Sequence, residues 1–165
     1  MIILGIDPGT RVTGYGLVVF EGNACRAIDY GCIRPPPTLK LSEKYLILFN
    51  AIEELIERFG PVAMAVETQY VQKNVQSAIK LGMARGAAII AAKRKGLSVF
   101  EYAPTKAKLA VVGRGGASKQ QVVGMIRALL RLPSTHLPED AADALALAIC
   151  HAQSRNIEIL STAEI

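Results

Sequence analysis

The sequence predicts an α/β fold in which a five-stranded mixed sheet carries helices on both faces. Composition is the first indication: 51% of the residues are apolar, with five Tyr, four Phe and no Trp. Such a core is built mainly from Ile, Leu, Val and Ala, as in proteins whose strands are covered by helices. The second indication is the order of periodic segments, three strands followed by alternating helices and strands. At 165 residues the chain fits one domain, which we place at residues 1–153, with a loosely ordered tail at 154–165.

The first third of the chain predicts an antiparallel meander. Strands are expected at residues 2–6, 14–20 and 24–33, where β-forming residues are bounded by turn residues. The turns are Asp-Pro-Gly-Thr at 7–10 and Glu-Gly-Asn at 21–23. Connections this short allow only antiparallel neighbours.

Proline ends the third strand, and the pattern then becomes helical. The residues at 34–37 are Arg-Pro-Pro-Pro, and proline cannot donate to a sheet ladder. A helix over 39–59 follows, because its apolar residues recur at helical spacing. The remaining elements are predicted as a strand at 62–67, a helix at 75–95, a strand at 97–102, and helices at 105–112, 118–130 and 139–151, with a Gly-rich loop at 113–116 before the second of these.

Charge and cysteine content restrict the classes of protein. A net charge of +5 and a pI near 9.2 favour an acidic partner such as nucleic acid. The cysteines are odd in number and lack CxxC spacing, which argues against a disulfide framework and a zinc site and indicates a reducing compartment, the cytoplasm. The amino terminus has no basic region and its apolar run ends at Asp7, so we expect neither a signal peptide nor a membrane span there.

Four carboxylates stand at the predicted ends of secondary-structure elements. Asp7 and Glu67 end two apolar strands, and Asp140 and Asp143 begin the last helix. A carboxylate at the rim of a buried strand loses hydration, so it is usually retained for a cation, a partner or a reaction. Strands one and four can be neighbours in the predicted sheet, and residues three apart share a helix face. The sequence therefore predicts an oxygen-only cluster suited to Mg²⁺ or Mn²⁺, with room for two ions about 3.5–4 Å apart.

Simpler explanations exist for each acid taken alone. Asp7 lies in a common turn composition, and Glu139 and Asp140 are first-turn acids that the helix dipole favours. Glu67 is harder to explain this way, because a strand that is apolar on both faces seldom ends in an acid without use. His136 and His151 are not expected to be metal ligands.

At these residues the chain resembles the RuvC family of Holliday-junction resolvases. The resemblance runs from residue 2 to residue 151, and no single block carries it. The blocks are Gly-Ile-Asp-Pro-Gly-Thr-Arg-Val-Thr-Gly-Tyr-Gly at 5–16, Val-Glu at 66–67, Lys-Leu-Gly-Met-Ala-Arg-Gly at 80–86, Phe-Glu-Tyr-Ala at 100–103, Val-Val-Gly at 111–113 and Asp-Ala-Ala-Asp-Ala-Leu-Ala at 140–146.

The resemblance implies a ribonuclease H-like fold, a homodimer, and Mg²⁺-dependent symmetric nicking of four-way junction DNA in recombination and repair. It implies two Mg²⁺ ions per subunit, for which Mn²⁺ can substitute, and the branch-migration proteins RuvA and RuvB as partners. It also assigns catalysis and metal binding to Asp7, Glu67, Asp140 and Asp143. Some relatives have His at the position of Asp140, and the acid in this chain gives a four-carboxylate site.

The resemblance implies DNA-binding residues as well. Tyr70 stands where the family often presents a Phe that stacks on a junction base, and a phenol ring keeps that π-face. Lys108 and Lys119 match basic positions near the cleaved strand, although solvated surface lysines would look the same. Lys73, Lys80 and Arg85 are expected to extend the basic surface, and Lys106 is an additional basic neighbour without an assigned role. Gly82 and Gly86 would let a second helix approach closely, either within the subunit or across the dimer interface.

Two other function classes compete with the nuclease. ATP-binding modules of the actin, heat-shock and sugar-kinase class also begin with a strand that ends in Asp-x-Gly-Thr, but they need two such domains and this chain supplies one. A non-enzymatic junction-binding module with a structural ion would be expected to have lost part of the acidic set, whereas all four acids are present.

Overall fold

The computed structural model describes residues 1–22, 24–69, 74–133, 136–154 and 164–165. The predicted element order is confirmed. The elements are β1 (Ile2–Asp7), β2 (Thr13–Glu21), β3 (Ala24–Ile33), α1 (Leu41–Phe59), β4 (Ala63–Glu67), α2 (Val75–Arg94), β5 (Ser98–Tyr102), α3 (Pro104–Val112), α4 (Lys119–Leu130) and α5 (Glu139–Ser154).

The five strands form one mixed sheet in the order β3-β2-β1-β4-β5. β1 and β2 pair antiparallel, as do β2 and β3, which is the predicted meander. β4 pairs parallel with β1 on one side and with β5 on the other. Ile6 lies opposite Val66, so the next residues, Asp7 and Glu67, end adjacent strands at the same edge of the sheet.

Helices cover both faces of the sheet, and alternate strand residues divide between two cores. Ile3 and Val18 belong to the core under α3, α4 and α5. Leu4 and Leu17 belong to the core under α1 and α2. This alternation follows from the two-residue repeat of a strand and makes the central strands apolar on both faces.

Two predicted boundaries shift by a few residues. α1 begins at Leu41 instead of residue 39, because Lys40 keeps an extended backbone and its N–H donates to the Glu43 carboxylate at 2.8 Å. α5 continues to Ser154, whose hydroxyl donates to the carbonyl of Cys150 at 2.8 Å.

The described end of the chain returns to the sheet. Glu164 forms an antiparallel bridge with Phe100 on the edge strand β5. The division into a domain at 1–153 and a loose tail stays a prediction. Among the described residues, no helix has the length and apolar character needed to cross a membrane.

Candidate active site

Strand alternation directs Asp7 and Glu67 to the same face of the sheet. Ile3 and Ala65 contribute to the core under α5, and Asp7 and Glu67 lie an even number of residues further along the same strands. Side chains an even number apart on a strand share a face. Both carboxylates therefore leave the sheet on the side of α5, at the edge where β1 and β4 end.

Glycines let α5 pack directly onto the sheet and bring its acids to this edge. Gly14 pairs with Asp7 across β1 and β2. A Cβ atom added to Gly14 would overlap the backbone carbonyl of Asp140, and one added to Gly5 would overlap that of Ala144. Neither glycine has a positive φ, so close approach, and not backbone conformation, is the reason for glycine here.

The resulting cavity combines acids with lysines. It has a volume of about 260 Å³. Asp140 does not line it, although its carbonyl contacts the sheet at Gly14 and its charge reaches Asp7. The lining residues are Asp7, Glu67, Pro104, Ala107, Lys108, Lys119, Asp143, Ala146 and Leu147.

Burial and mutual repulsion make the carboxylates hard to ionise. Burial is the largest cause that raises the pKa of Asp7 to about 8, followed by the charges of Glu67, Asp143 and Asp140. Burial also raises the pKa of Glu67 and of Asp143, while Lys108 and Lys119 oppose the rise. The two lysines therefore compensate the negative charge only in part.

We expect the stability of the metal-free protein to fall as the pH rises from about 4 to about 8. The unfolded chain loses the Asp7 proton near pH 3.8, whereas the folded chain keeps it until about pH 8. The folded state binds more protons in this window, so its free energy of unfolding decreases with pH and levels off above it. Thermal unfolding in EDTA should show a smaller loss of Tm between pH 5 and pH 8 for Asp7→Asn than for the unmodified chain; parallel curves would contradict the assignment.

The lysines on α3 and α4 differ in their surroundings. Lys108 lines the cavity. The Lys119 ammonium donates to the Glu139 carboxylate at 3.0 Å, and both side chains are largely exposed. An exposed pair of this kind contributes little to stability and can be exchanged for a phosphate. Lys106 is not among the residues that line the cavity. Its ammonium lies 5.1 Å from the ring centroid of Tyr102.

Arg85 is bound to residues of the sheet. Its Nε atom donates to the backbone carbonyl of Glu67 at 3.1 Å, and its guanidinium pairs with Glu101 on β5. The side chain is 19% exposed, so Arg85 does not extend the basic surface. It joins α2 to the strand end that carries Glu67. Lys80 is exposed on the same helix.

The donor chemistry of the cavity fits a hard divalent cation. All of its anionic groups are carboxylates. Burial, and after it the charges of neighbouring acids, raises the pKa of Asp7, and a bound cation would neutralise those charges. Within the described ranges, no group of three or more His, Cys, Asp or Glu side chains is arranged to hold a metal ion as it stands.

Other candidates lie away from this cavity or outside the described residues. Tyr70 and Lys73 lie outside them, so their roles stay predictions. His151 is buried, with its Nδ1 atom 2.8 Å from the Tyr102 hydroxyl and its ring tilted by 38° against the Phe100 ring. His136 is exposed.

Sequence reasoning overlooked the role of the strand glycines. Gly5 and Gly16 pair with each other, and Gly14 lies two residues from Gly16 on the same face. Glycines inside otherwise apolar strands indicate that another backbone approaches closely. Their alternate spacing could have located the face on which α5 docks.

Comparison with known sequences identifies relatives along nearly the whole chain. The family model for crossover junction endodeoxyribonuclease RuvC matches residues 3–151. A protein of that description from Protochlamydia amoebophila (strain UWE25) is 62% identical over 153 residues, 93% of this chain and 91% of the relative. Another, from Ruminiclostridium cellulolyticum, is 45% identical over 160 residues, 97% of this chain and 96% of the relative.

Solved structures agree with the sequence matches. RuvC of T. thermophilus in complex with a Holliday junction substrate superposes with a TM-score of 0.89 at 31% identity and covers 100% of both chains. A yeast mitochondrial Holliday junction resolvase has a TM-score of 0.66 at 15% identity, covering 94% of this chain and 80% of that one, which shows the fold alone. These likenesses confirm the ribonuclease H-like fold.

Proposed function

Because the chain belongs to the RuvC family of crossover junction endodeoxyribonucleases, we propose that it is a Holliday-junction resolvase whose cavity under α5 hydrolyses the scissile phosphodiester. The observation that carries the proposal is the convergence of Asp7, Glu67 and Asp143 with Lys108 and Lys119 in one cavity. Carboxylates there would hold cations, and lysines would hold the DNA backbone. An ATP-binding module would not require this combination.

We propose Mg²⁺ as the cofactor, with two ions per subunit and Mn²⁺ as a substitute. Asp7, Glu67, Asp140 and Asp143 would hold them through carboxylate oxygens, which are the ligands that Mg²⁺ prefers. When bound, such ions activate water and stabilise the leaving oxygen. The chain itself supplies the orientation: β1 and β4 fix two ligands, and α5 adds two from a single helical turn.

The proposal is tested with a labelled synthetic four-way junction. The purified chain should introduce symmetric nicks in Mg²⁺ and none in EDTA, while it binds the junction in both. A linear duplex of the same sequence serves as the control substrate. Binding without cleavage in Mg²⁺ and in Mn²⁺ would favour the non-enzymatic junction-binding module, and ATP hydrolysis without junction binding would favour the rival ATPase class.

We expect Lys108→Ala and Lys119→Ala each to lower the slope of log affinity against log salt concentration by roughly one unit. Each variant makes one phosphate contact fewer, so binding releases fewer counterions from the DNA. Both measurements are made on the junction without Mg²⁺. Lys106→Ala on the same helix as Lys108 is the matched control, since its ammonium lies against Tyr102. If all three variants have the same salt slope, Lys108 and Lys119 are solvated surface lysines and do not contact phosphates.

We propose a homodimer that forms through α2. Large apolar side chains follow one exposed stripe of this helix: Val75, Ile79, Met83 and Ile90 are 62%, 58%, 54% and 62% exposed. Gly82 and Gly86 lie beside the stripe, with no atom within 4 Å of an added Cβ. Exposed apolar surface of this kind favours association. We expect a second copy of the chain to cover this stripe, because two symmetric nicks require two subunits that each cut one strand.

Replacing Met83 by Glu should convert the protein to a monomer, because a charge on each copy would be buried in the interface. Sedimentation equilibrium gives the mass directly. Leu46→Glu is the control, since Leu46 on α1 is 58% exposed and lies outside the stripe. A Met83→Glu protein that remains dimeric would place the interface elsewhere.

Further parts of the proposal depend on the family. RuvA and RuvB stay predicted partners, and Tyr70 stays the predicted stacking residue. A cytoplasmic location is supported by Cys25, Cys32 and Cys150, all of which are free thiols.

A further inference from the structure

A basic groove adjoins the carboxylates at the same end of the sheet. Arg11 lies in the turn between β1 and β2, four residues beyond Asp7. Thr13 at the start of β2 pairs with Ile33 at the end of β3, so the segment after β3 leaves the sheet beside that turn. The groove has a volume of about 360 Å³, and its lining residues are Arg11, Pro35, Pro37 and Lys44.

The groove carries two cations and no acid among its lining residues. The Lys44 ammonium donates to the carbonyl of Pro37 at 2.8 Å, which fixes it against the wall. Glu43, its neighbour in sequence, instead accepts from the backbone N–H of Lys40. Within the described parts of the chain, the ion pairs involve neither Arg11 nor Lys44. Both charges are therefore available to an anion.

The groove and the carboxylates lie at the same end of the sheet. The ends of β1 and β3 are separated by two strand spacings, about 10 Å. A DNA strand that continued past the carboxylates toward β3 would meet the groove. Lys108 and Lys119 line the cavity of the carboxylates from α3 and α4, whereas Arg11 lies in the turn that follows β1 and Lys44 lies in the first turn of α1.

We propose that Arg11 and Lys44 bind the phosphate backbone of the cleaved DNA strand, a short way along that strand from the scissile phosphate. The inference rests on the proposed nuclease function, which supplies the strand. A cluster of acids repels phosphates, and cations beyond the cluster would help to hold the strand in place. Proline fixes the backbone φ of the wall, so little conformational freedom is lost on binding. Such contacts position the strand and do not read bases.

The first test measures junction affinity against salt for Arg11→Ala, Lys44→Ala and the double variant in EDTA. The double variant should lose about two units of salt slope and bind roughly tenfold more weakly at moderate salt. Arg26→Ala is the matched control, because Arg26 is exposed on β3 and pairs with Val19, away from the end that carries Asp7. An unchanged slope in the double variant, or an equal loss in Arg26→Ala, would overturn the assignment.

The second test locates the contact on the DNA. Single methylphosphonate linkages, which are uncharged, are placed at one to five nucleotides on each side of the cleavage site. The unmodified protein should lose affinity at a limited set of linkages on one side only, and the double variant should lose nothing further there, because both changes remove the same contact. Additive losses would overturn the proposal.

The outcomes also separate this inference from the proposed function. In Mg²⁺, the unmodified chain and the Arg26→Ala control should both cut the junction, which tests the nuclease function independently of Arg11 and Lys44. Failure of the unmodified chain to cut the junction in Mg²⁺ would overturn the nuclease function and the inference with it. Normal cutting, with full binding by the double variant, would overturn the groove alone.

Discussion

Replacing Asp7 by Asn should abolish junction cleavage and leave junction binding intact or tighter. The change removes a charged ligand from the centre of the carboxylate cluster, where Glu67, Asp143 and Asp140 all act on Asp7. We expect the single-turnover rate in Mg²⁺ to fall by at least about three orders of magnitude, which corresponds to about 4 kcal/mol of transition-state stabilisation. Affinity for DNA should not fall, because a negative charge near the phosphates is lost.

The chain offers a matched control for this substitution. Asp29 is the one aspartate of the sequence outside the set of Asp7, Asp140 and Asp143. It lies on β3, where its carboxylate accepts from the backbone N–H of Tyr30 at 2.9 Å. Asp29→Asn should cut junctions at close to the normal rate. Comparable rates for Asp7→Asn and the unmodified chain would exclude the carboxylate cluster as the active site.

Replacing Gly14 by Ala should have the next largest effect, although this residue carries no functional group. The added methyl group would overlap the carbonyl of Asp140, so α5 must move away from the sheet or the sheet must deform. Overpacking of this kind costs about 1–3 kcal/mol. Because Asp140 and Asp143 move with the helix, we expect cleavage to fall by at least about 100-fold, a loss of about 2.7 kcal/mol in transition-state stabilisation.

Unfolding must be distinguished from displacement of the acids. Circular dichroism at the assay temperature, together with a Tm above that temperature, establishes that Gly14→Ala is folded when its cleavage is tested. Gly124→Ala on α4 is the control, because nothing lies within 4 Å of its added Cβ and alanine favours a helix. A folded Gly14→Ala protein with normal activity would show that the close packing of α5 does not position the acids.

The sequence by itself determined the elements and the ends at which the acids lie. Apolar runs and turn residues act over a few positions, so β1 and β4 could be placed with Asp7 and Glu67 at their ends. The short connections of the first three strands then left β1 free to pair with β4. Resemblance added the family, because blocks from residue 5 to residue 146 occur in the expected order.

Other properties depended on residues that are far apart in the chain, and only the tertiary structure decided them. The contact of Gly14 with Asp140 sets how closely α5 approaches the sheet. The pKa of Asp7 near 8 depends on burial and on Glu67 and Asp143. Similarly, Lys106 could be told from Lys108 only by its contact with Tyr102. Desolvation, charge coupling and steric contact are properties of packed groups, and local sequence patterns do not contain them.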